Sequence, residues 1–362
     1  MRILIVTPWF PTADASASGR FVAREAAALG EEHEVTVLHL DWQRARADAT
    51  HEGPFALTRV PLSRARPGDY RRARATVAEA SRSADVVHTH SLTGLIPWRG
   101  KRPANRPWVH SEHWSGLTAP ETLRPAERVM RRMLLGTLDL PDVVVAESRR
   151  LARAVQANRS GPTMIVPCIV GESPVTEPPR GDVLELVGVG GIIPRKGPLL
   201  AVRALAYLVE AGCETRLTWV GEGPQRDEVL AEASALGVAD RLNLTGVLDD
   251  AGVGAALDAA DVFVLPTQGD NFCVVAAEAL SHGRPIVSGA ETGAVDYAAP
   301  SVSVFVHEQT GRAYADAVLA VRESVRGLDA RDIAATVAGR FTPAAVRAGL
   351  EAAYGVAGAD VR

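Results

Sequence analysis

The stretch from Asp261 to Gly289 most constrains the fold, because it holds a strand, a polar turn, a helix and a second strand in about thirty residues. Val262 to Leu265 is one apolar run, and Pro285 to Ser288 is the next. The helix between them is predicted to end near His282, since Gly283 is a typical residue after a helix. Two apolar strands joined by a helix are the repeating unit of a parallel sheet, so the stretch favours an α/β fold.

The first turn of this helix is a candidate anion site, and Asp270 or Asn271 is predicted to cap it. The positive end of a helix favours anions, and the N–H groups predicted to face one belong to Phe272, Cys273 and Val274. Glu278 follows Asp270 by eight positions, so on one continuous helix their backbones would lie about 12 Å apart. This spacing suits a nucleotide-sugar, with sugar hydroxyls on Asp270, ribose hydroxyls on Glu278 and a diphosphate between them. The alternative is that Asp270 only caps the helix and Glu278 is only a solvated residue on its surface.

The length of 362 residues exceeds one ordinary core and predicts two domains of about 170 residues each. Residues 171–182 are rich in proline, glycine and acids, and we interpret them as a linker. The linker separates a first domain at 1–170 from a second at 183–340. Residues 341–362 form a last segment, in which Pro343 begins a predicted helix.

The net charge of −4 is unevenly distributed, because residues 1–170 carry 24 Arg and Lys against 17 Asp and Glu, a balance of +7 that leaves −11 for the rest. Basic clusters lie at Arg64 to Arg82 and Arg99 to Arg106. They could attract an anionic acceptor or an anionic membrane surface, or they could form a solvated arginine-rich face. No nucleic-acid-binding motif accompanies them, so nucleic acid is not a predicted partner.

The sequence contains no run of about 18 uncharged apolar residues, and M-R-I-L-I-V-T-P-W-F leads into a strand rather than a signal peptide. We therefore predict a cytoplasmic protein, with peripheral contact at the inner face of the membrane left open. Cys168, Cys213 and Cys273 are scattered, so they predict neither a disulfide framework nor a zinc site.

The first domain starts with a Rossmann-like strand, loop, helix and strand, formed by Ile3 to Val6, Arg20 to Leu29 and Glu34 to Leu40. Gly19 closes the Ser- and Gly-rich loop, where it could let a backbone N–H approach a phosphate or could simply make a turn. Further apolar strands are predicted at Asp85 to His90, Trp108 to Glu112, Val143 to Ala146 and Met164 to Val166.

Polar residues follow two of these strands. His90, Glu112 and His113 fall at strand ends, on the edge of a parallel sheet where ligands bind. A lone histidine is more often structural than functional, so position alone does not assign a role to any of them.

The second domain repeats the alternation of strands and helices and predicts another doubly wound sheet. Its polar or glycine-rich strand-end loops are Gly190 to Gly197, Gly221 to Pro224, Thr245 to Val247, Thr267 to Asp270 and Gly289 to Gly293. Several such loops on one edge of a sheet predict a binding site.

Lys196 stands out because the chain has only Lys101 and Lys196 against 37 Arg. A lysine offers a compact point charge that suits a phosphate oxygen, whereas arginine offers a planar fork. The presence of a lysine beside Arg195, in a chain that otherwise uses arginine, indicates a phosphate-binding role for Lys196. The alternative is that a lysine occurs at this position by chance.

The motif D-N-F-C-V-V-A-A-E-A-L-S-H-G-R-P-I-V resembles the acid-x7-Glu motif of the retaining glycosyltransferases of family GT4, which have the two-domain GT-B fold. G-G-I-I-P-R-K-G resembles the family stretch G-R-L-x-P-x-K-G, and G-E-G-P resembles G-x-G-P. H-S-E-H-W-S-G resembles the segment that carries the family's active-site histidine. The resemblance covers essentially the whole chain and is closest over residues 184 to 297.

The resemblance implies roles for several residues. Lys196 matches the diphosphate-binding lysine, and His113 matches the histidine that contacts the donor sugar. Asp270 stands where glutamate is usual, and it would orient the donor sugar. Gly191 stands where an arginine is expected, so either Arg195 substitutes for it or the site has one cation fewer. Gly19 matches the family's glycine-rich loop, Gly221 and Gly223 match G-x-G-P, and Val247 matches a base-contacting position.

The implied fold is α/β of the GT-B class, with two Rossmann-like doubly wound domains facing across a cleft. The first domain would bind the acceptor, the second would bind the nucleotide-sugar, and the last helix would cross back to the first domain. The implied reaction moves a sugar with retention from an NDP-sugar, UDP- or GDP-linked, to a hydroxyl of a carbohydrate, lipid-linked or small-molecule acceptor. Polysaccharide, glycolipid or natural-product glycoside synthesis would use such a step. The nucleotide-sugar is a co-substrate, no cofactor is implied, and the sequence has no D-x-D motif to hold a metal.

Three alternatives remain at this stage. One is a sugar-nucleotide epimerase of the same fold, and another is a catalytically weakened binding homologue, which the departures at Gly191 and Asp270 would suit. The third, a nicotinamide oxidoreductase, is disfavoured because L-V-G-V-G-G-I-I places Ile193 where G-x-G-x-x-G requires glycine.

Overall fold

The computed structural model describes residues 1–361 except positions 13, 14, 16, 17, 43–48, 52, 64, 65, 99, 172, 179 and 180. Arg64 and Arg99 of the predicted basic clusters, part of the Ser- and Gly-rich loop and part of the linker therefore lie outside the described residues. The chain divides into two compact units, one made of residues 1–169 and 341–362 and the other of residues 170–340.

The strands of the described chain are β1 Arg2–Thr7, β2 Glu34–Asp41, β3 Ala49–His51, β4 Ala56–Pro61, β5 Val86–His90, β6 Trp108–Glu112, β7 Val143–Ala146, β8 Thr163–Ile165, β9 Leu184–Val189, β10 Thr215–Val220, β11 Leu242–Gly246, β12 Val262–Leu265, β13 Ile286–Gly289 and β14 Ser303–Val306. The helices are α1 Arg20–Gly30, α2 Pro67–Ala80, α3 Pro125–Leu135, α4 Arg149–Gln156, α5 Pro198–Glu210, α6 Arg226–Ala235, α7 Asp250–Asp258, α8 Val274–Ser281, α9 Gly311–Ser324, α10 Ala330–Ala335 and α11 Pro343–Val356.

The sheet of the first unit has the order β3-β4-β2-β1-β5-β6-β7-β8. Its pairs are parallel apart from β3 and β4, which run antiparallel. The central strands β5, β6 and β7 are buried at every residue. They bury both faces because helices cover each side of the sheet, which explains their nearly continuous apolar runs. Strands β3 and β4 were not predicted from the sequence.

The sheet of the second unit has the order β11-β10-β9-β12-β13-β14 and is parallel throughout its described pairs. The chain order reverses between β9 and β12, so the loops after these two strands lie at the topological switch point. Ligands of open α/β sheets bind in the crevice at such a point. Lys196 follows β9 and Asp270 follows β12, so the fold brings two predicted site residues to this position.

Helix α11 belongs to the first unit, where it contacts α1, β6 and β7. Thr342 caps it by accepting a hydrogen bond from the Ala345 N–H at 3.2 Å. Val346, Leu350, Ala353 and Tyr354 share a buried cluster with strand residues of that unit. The hydroxyl oxygen of Tyr354 lies 2.8 Å from His88 Nδ1. Helix α11 therefore also provides a hydrogen-bond partner for a buried histidine of the core.

Among the described residues, no helix combines the length and the apolar character needed to cross a bilayer.

Candidate active site

The loop after β9 is held against the loop after β12 by glycine packing. A short 3₁₀ turn at Pro194–Lys196 presents Lys196, and Gly197 follows in the left-handed region with φ 70°. A β-carbon on Gly197 would lie 2.2 Å from the carbonyl oxygen of Pro266, so only glycine allows this approach. The close approach places the cationic turn beside the polar turn that carries Asp270.

Lys196 and Asp270 form the central ion pair of this site. The Lys196 ammonium lies 2.9 Å from Oδ1 and 2.8 Å from Oδ2 of Asp270. Each side chain is 15% exposed, so the pair is only partly screened by water. Thr267 also donates to Oδ2, at 2.9 Å. The pair offers one cation that a phosphate oxygen could compete for and one carboxylate that could turn to a sugar hydroxyl.

Burial alone would raise the pKa of the Asp270 carboxyl, but the opposing interactions are stronger together. The charges of Lys196 and Arg195 and the hydrogen bonds from Lys196 and Thr267 lower this pKa below its ordinary value. Asp270 is therefore ionised at neutral pH.

Arg195 contacts the same turn from the side. Its Nη1 donates to the carbonyl oxygen of Gly269 and lies 3.4 Å from Asp270 Oδ1. The structure thus gathers Arg195, Lys196 and Asp270 in one cluster at the switch point.

The prediction that Asp270 or Asn271 caps the next helix is wrong. Helix α8 begins at Val274, and its N-cap residue is Cys273 in the left-handed conformation with φ 67°. Asp270 cannot cap because its backbone pairs with the β13 loop: its N–H donates to Glu291 at 3.1 Å, and its carbonyl accepts from Gly293 at 2.9 Å. Its carboxylate is committed to Lys196.

Phe272 and Cys273 consequently precede the helix instead of forming its first turn. Phe272 is buried, and its ring centroid lies 5.0 Å from that of Tyr297. The Tyr297 hydroxyl donates to the Cys273 carbonyl oxygen at 2.7 Å and so supports the unusual backbone at that position. Of the three predicted N–H carriers, only Val274 lies in the helix.

The predicted backbone separation of about 12 Å between Asp270 and Glu278 assumed one continuous helix. Because Asp270 lies outside α8, that prediction is wrong. Glu278 lies in α8 and is partly exposed, whereas Asp270 and Asn271 lie in the preceding loop. Asp270 lies before α8 and Glu278 lies within it, so the loop as well as the helix sets the separation of the two residues.

Gly221 and Gly223 are required by the packing of the loops around β9. A β-carbon on Gly221, whose φ is 142°, would lie 2.1 Å from the Gly190 carbonyl oxygen, and one on Gly223 would lie 2.3 Å from that of Ile192. A β-carbon on Gly191 would meet its nearest neighbour, the Glu222 carbonyl oxygen, at 3.6 Å, an ordinary contact. The backbone therefore does not impose glycine at position 191.

Val247 follows β11 and is 69% exposed, so its side chain makes little contact within the chain.

In the first unit, Gly19 has φ 68°, and a β-carbon there would lie 2.3 Å from the backbone of Trp9. The close approach of the Trp9 backbone is therefore enough to require glycine at position 19, and no ligand is needed to explain it.

His113 lies in a buried polar network of the first unit. Its Nδ1–H donates to Glu147 Oε2 at 3.0 Å, and its Nε2 lies 3.2 Å from His90 Nδ1. The two imidazole rings are stacked with their planes 4° apart. The side chain of His113 is 7% exposed, and both of its nitrogens have internal partners. In this arrangement His113 is part of a network that also includes His90.

The protonation of this network follows from its charges. Burial favours neutral His113, but the hydrogen bond and charge of Glu147, with Glu25 and Glu112, raise the pKa of His113 above its ordinary value. Burial, reinforced by the neighbouring histidines, lowers the pKa of His90 well below its ordinary value. Of the two stacked rings, His113 therefore holds its proton more strongly than His90 does.

Glu112 serves the backbone rather than a ligand. Its carboxylate accepts from the N–H groups of Leu92, His113 and Trp114 at 2.8, 2.9 and 2.7 Å. These bonds fix the segment that carries His113.

Sequence reasoning missed Glu25, Glu147 and Cys168, which complete the network. Cys168 donates to Glu147 Oε2 at 3.1 Å, and Glu25 Oε2 lies 4.0 Å from His90 Nε2. Glu147 directly follows β7, so the strand-end rule that selected His90 would have found it. Glu25 lies between the buried residues Val22 and Ala26 of α1, where helical periodicity predicts a buried position.

Two doubly wound sheets, parallel except for the β3–β4 pair, with a cationic turn at the switch point of the second, define a two-domain protein of the Rossmann-like class. The model of Glycosyltransferase Family 4 matches residues 18–171, and the model of Glycosyl transferases group 1 matches residues 184–324.

The chain is also similar to individual glycosyltransferases. It is 29% identical over 255 residues to a D-inositol 3-phosphate glycosyltransferase of Thermomonospora curvata, with 61% of this chain and 59% of the relative covered. It is 35% identical over 217 residues to a phosphatidyl-myo-inositol mannosyltransferase of Mycobacterium leprae, with 56% and 54% covered. The matches thus span between half and two thirds of these relatives.

Solved structures with this fold include the sucrose-phosphate synthase of Thermosynechococcus elongatus, with a TM-score of 0.77, 20% identity and 98% of each chain covered. Anabaena HepE, solved in complex with UDP and glucose, has a TM-score of 0.72, 15% identity and coverage of 96% of this chain and 97% of its own. The chain belongs to the GT4 family of glycosyltransferases. The predicted α/β fold of the GT-B class, with two Rossmann-like domains, is confirmed.

Proposed function

We propose that the protein transfers a sugar, with retention at the anomeric carbon, from a nucleotide-sugar to an acceptor hydroxyl. The observation that carries the proposal is the cluster of Arg195, Lys196 and Asp270 at the switch point of the second sheet. Family membership supplies the reaction class. A UDP-linked donor is the first to test, because the HepE structure contains UDP and glucose.

The chemistry follows from charge. As the glycosidic bond breaks, the leaving diphosphate gathers negative charge, which Lys196 and Arg195 stabilise. A diphosphate oxygen competes with Asp270 for the Lys196 ammonium, and the released carboxylate becomes available to a donor-sugar hydroxyl. The leaving oxygen can accept the acceptor proton on the same face, so the mechanism requires no protein nucleophile. We further propose that these two cations make the step independent of a divalent metal.

The experiment is a calorimetric titration of the full chain with UDP, GDP, ADP and TDP in the presence of a chelator. Lys196→Met should weaken binding of the preferred nucleotide about tenfold or more, since it removes a charged hydrogen bond. Lys101→Met is the matched control, because Lys101 is the only other lysine of the chain and is exposed. Glu278→Ala tests the proposed ribose contact in the same titration.

Equal affinities in wild type, Lys196→Met and Lys101→Met would remove the diphosphate role of Lys196. If a nucleotide binds, the matching UDP- or GDP-sugars are incubated with candidate acceptors and the anomeric configuration of the product is read by NMR. An inverted product would overturn retention. The matching family models and the two relatives named above are glycosyltransferases, which gives no support to the epimerase alternative. Localisation at the inner face of the membrane and contact with an anionic surface stay predictions from the charge pattern.

A further inference from the structure

The first unit has a cavity of about 290 Å³ at the carboxyl edge of its sheet. Trp9 and Phe10 follow β1, and Asp41 and Trp42 lie at the end of β2. Trp114, which follows β6, also lines the cavity. Small-molecule sites commonly measure roughly 300–1,000 Å³, so the cavity suits one or two saturated rings.

The distribution of tryptophan singles out this cavity. The chain has six tryptophans. Trp98, Trp108 and Trp219 are buried, with 3%, 0% and 1% exposure. The other three are partly exposed, and all of them line the cavity: Trp9, Trp42 and Trp114. A partly exposed indole offers an apolar ring face and an N–H group to a ligand, and three of them around one cavity give it an aromatic lining of the kind found in small-molecule sites.

The described charged residues lining the cavity are acidic. Asp41 and Glu127 contribute carboxylates, and no Arg or Lys is among the described lining residues. His39 also lines the cavity, and its Nδ1 accepts from Arg59 Nη1 at 2.9 Å. Burial chiefly lowers the pKa of His39 to about 4, so this ring is neutral at physiological pH and adds no positive charge.

These features select a chemical class of ligand. Indole faces pack against the C–H face of a saturated ring and attract a cation through their π electrons. The carboxylates of Asp41 and Glu127 attract the same cation and repel a phosphate. We propose that this cavity is the acceptor subsite and that it takes a polyhydroxylated ring bearing an ammonium group, in preference to a phosphorylated one. The proposal rests on the proposed transferase function and deepens it.

The test uses three probes that share one ring: glucosamine, N-acetylglucosamine and glucose 6-phosphate. The full chain is titrated with each at pH 7, and binding is followed by the fluorescence of the partly exposed tryptophans. We expect glucosamine to bind about tenfold more tightly than the other two, because acetylation removes the ammonium charge and the phosphate reverses it.

Two variants assign this preference to the cavity. Asp41→Asn should reduce the preference to about twofold or less, and Glu127→Gln should reduce it independently, which keeps the test decisive if Asp41→Asn does not fold. Glu127→Gln retains the carbonyl that accepts the Arg124 N–H at the start of α3. The matched control is Asp85→Asn, which alters a carboxylate paired with Arg2 at the opposite edge of the sheet.

Loss of the preference in Asp41→Asn or Glu127→Gln, with Asp85→Asn unchanged, supports the proposal. Tighter binding of glucose 6-phosphate overturns it, as does an equal preference in all variants or no saturable response to any probe. Titration with UDP separates this result from the proposed function. Binding of UDP without glucosamine defeats only the subsite, whereas binding of glucosamine without any nucleotide defeats the transferase proposal.

Discussion

The Lys196 ammonium lies within 2.9 Å of both carboxylate oxygens of Asp270, so the cation expected to hold a diphosphate is already neutralised inside the second unit. In the proposed function, a diphosphate oxygen competes with this carboxylate for the ammonium. If this proposal holds, nucleotide binding and rearrangement of the pair are coupled, and Asp270 competes with the diphosphate as well as being a candidate sugar ligand.

Asp270→Asn should leave affinity for the nucleoside diphosphate unchanged or raise it several-fold, because Lys196 no longer has to leave a carboxylate. Turnover should fall by about a hundredfold or more if the carboxylate orients the sugar in the transition state. Calorimetry and an initial-rate assay measure the two effects, with Asp240→Asn at an exposed position as control. A loss of folding stability large enough to account for the loss of turnover would contradict this assignment.

Glu147→Gln should lower the pKa of His113, because it removes the charge and the charged hydrogen bond of Glu147 that raise this pKa against burial. In the wild type the raised pKa makes His113 stabilising at pH values below about 6.5, and this contribution is lost as pH rises through the folded-state pKa. NMR titration of the imidazole C–H signals measures the shift. Glu121→Gln, at an exposed position, should leave the signal in place, and an unchanged pKa in Glu147→Gln would refute the ion pair.

Glu25→Gln should stabilise the protein at pH 8. Burial, with the charge of Glu147, raises the pKa of Glu25 to about 7, although His113 opposes the shift. The fold therefore binds a proton that the unfolded chain has released between about pH 4.3 and 7, and the wild type loses stability as pH rises through this window. A glutamine stays neutral, so the variant should gain about 1–3 kcal/mol at pH 8 and much less at pH 5.

Urea unfolding at both pH values measures this difference, with Glu34→Gln on the exposed side of β2 as control. A destabilised Glu25→Gln at pH 8 would mean that the carboxylate is ionised and paired in the fold.

Gly191→Arg should be tolerated, because a β-carbon there meets only ordinary contacts, and it should tighten nucleoside diphosphate binding about tenfold or more by adding a cation. Gly221→Ala is the contrasting variant. Its β-carbon would lie 2.1 Å from a carbonyl oxygen, so it should destabilise the fold by about 1–3 kcal/mol. Thermal unfolding and calorimetry separate the two effects. Weaker nucleotide binding in a folded Gly191→Arg would show that the position does not face the phosphates.

The sequence predicted the sheets well where strands are buried on both faces, and β6 and β7 begin and end at the predicted residues. It also predicted the loop edge that gathers Lys196 and Asp270, because parallel strands must present their carboxyl ends together. It failed at the start of α8, where the backbone pairing of Asp270 with the β13 loop prevents a cap. That pairing joins segments far apart in the sequence, so local cap preferences could not reveal it.

The polar network around His113 shows the same limit. Its members are predictable one at a time, from a strand end in the case of Glu147 and from helical periodicity in the case of Glu25. Their convergence depends on which strands and helices become neighbours. The direction of each pKa shift depends on that convergence, so protonation states lie beyond what the spacing of residues indicates.

The first unit is discontinuous, and this imposes an order on its assembly during synthesis. Residues 170–340 form one continuous segment, whereas the core of the first unit also contains Val346, Leu350 and Tyr354, which are synthesised after that segment. His88 gains its hydroxyl partner only then. The core of the half that is made first can therefore be completed only after the other half has been made, and until then its early strands lack the apolar surface of α11.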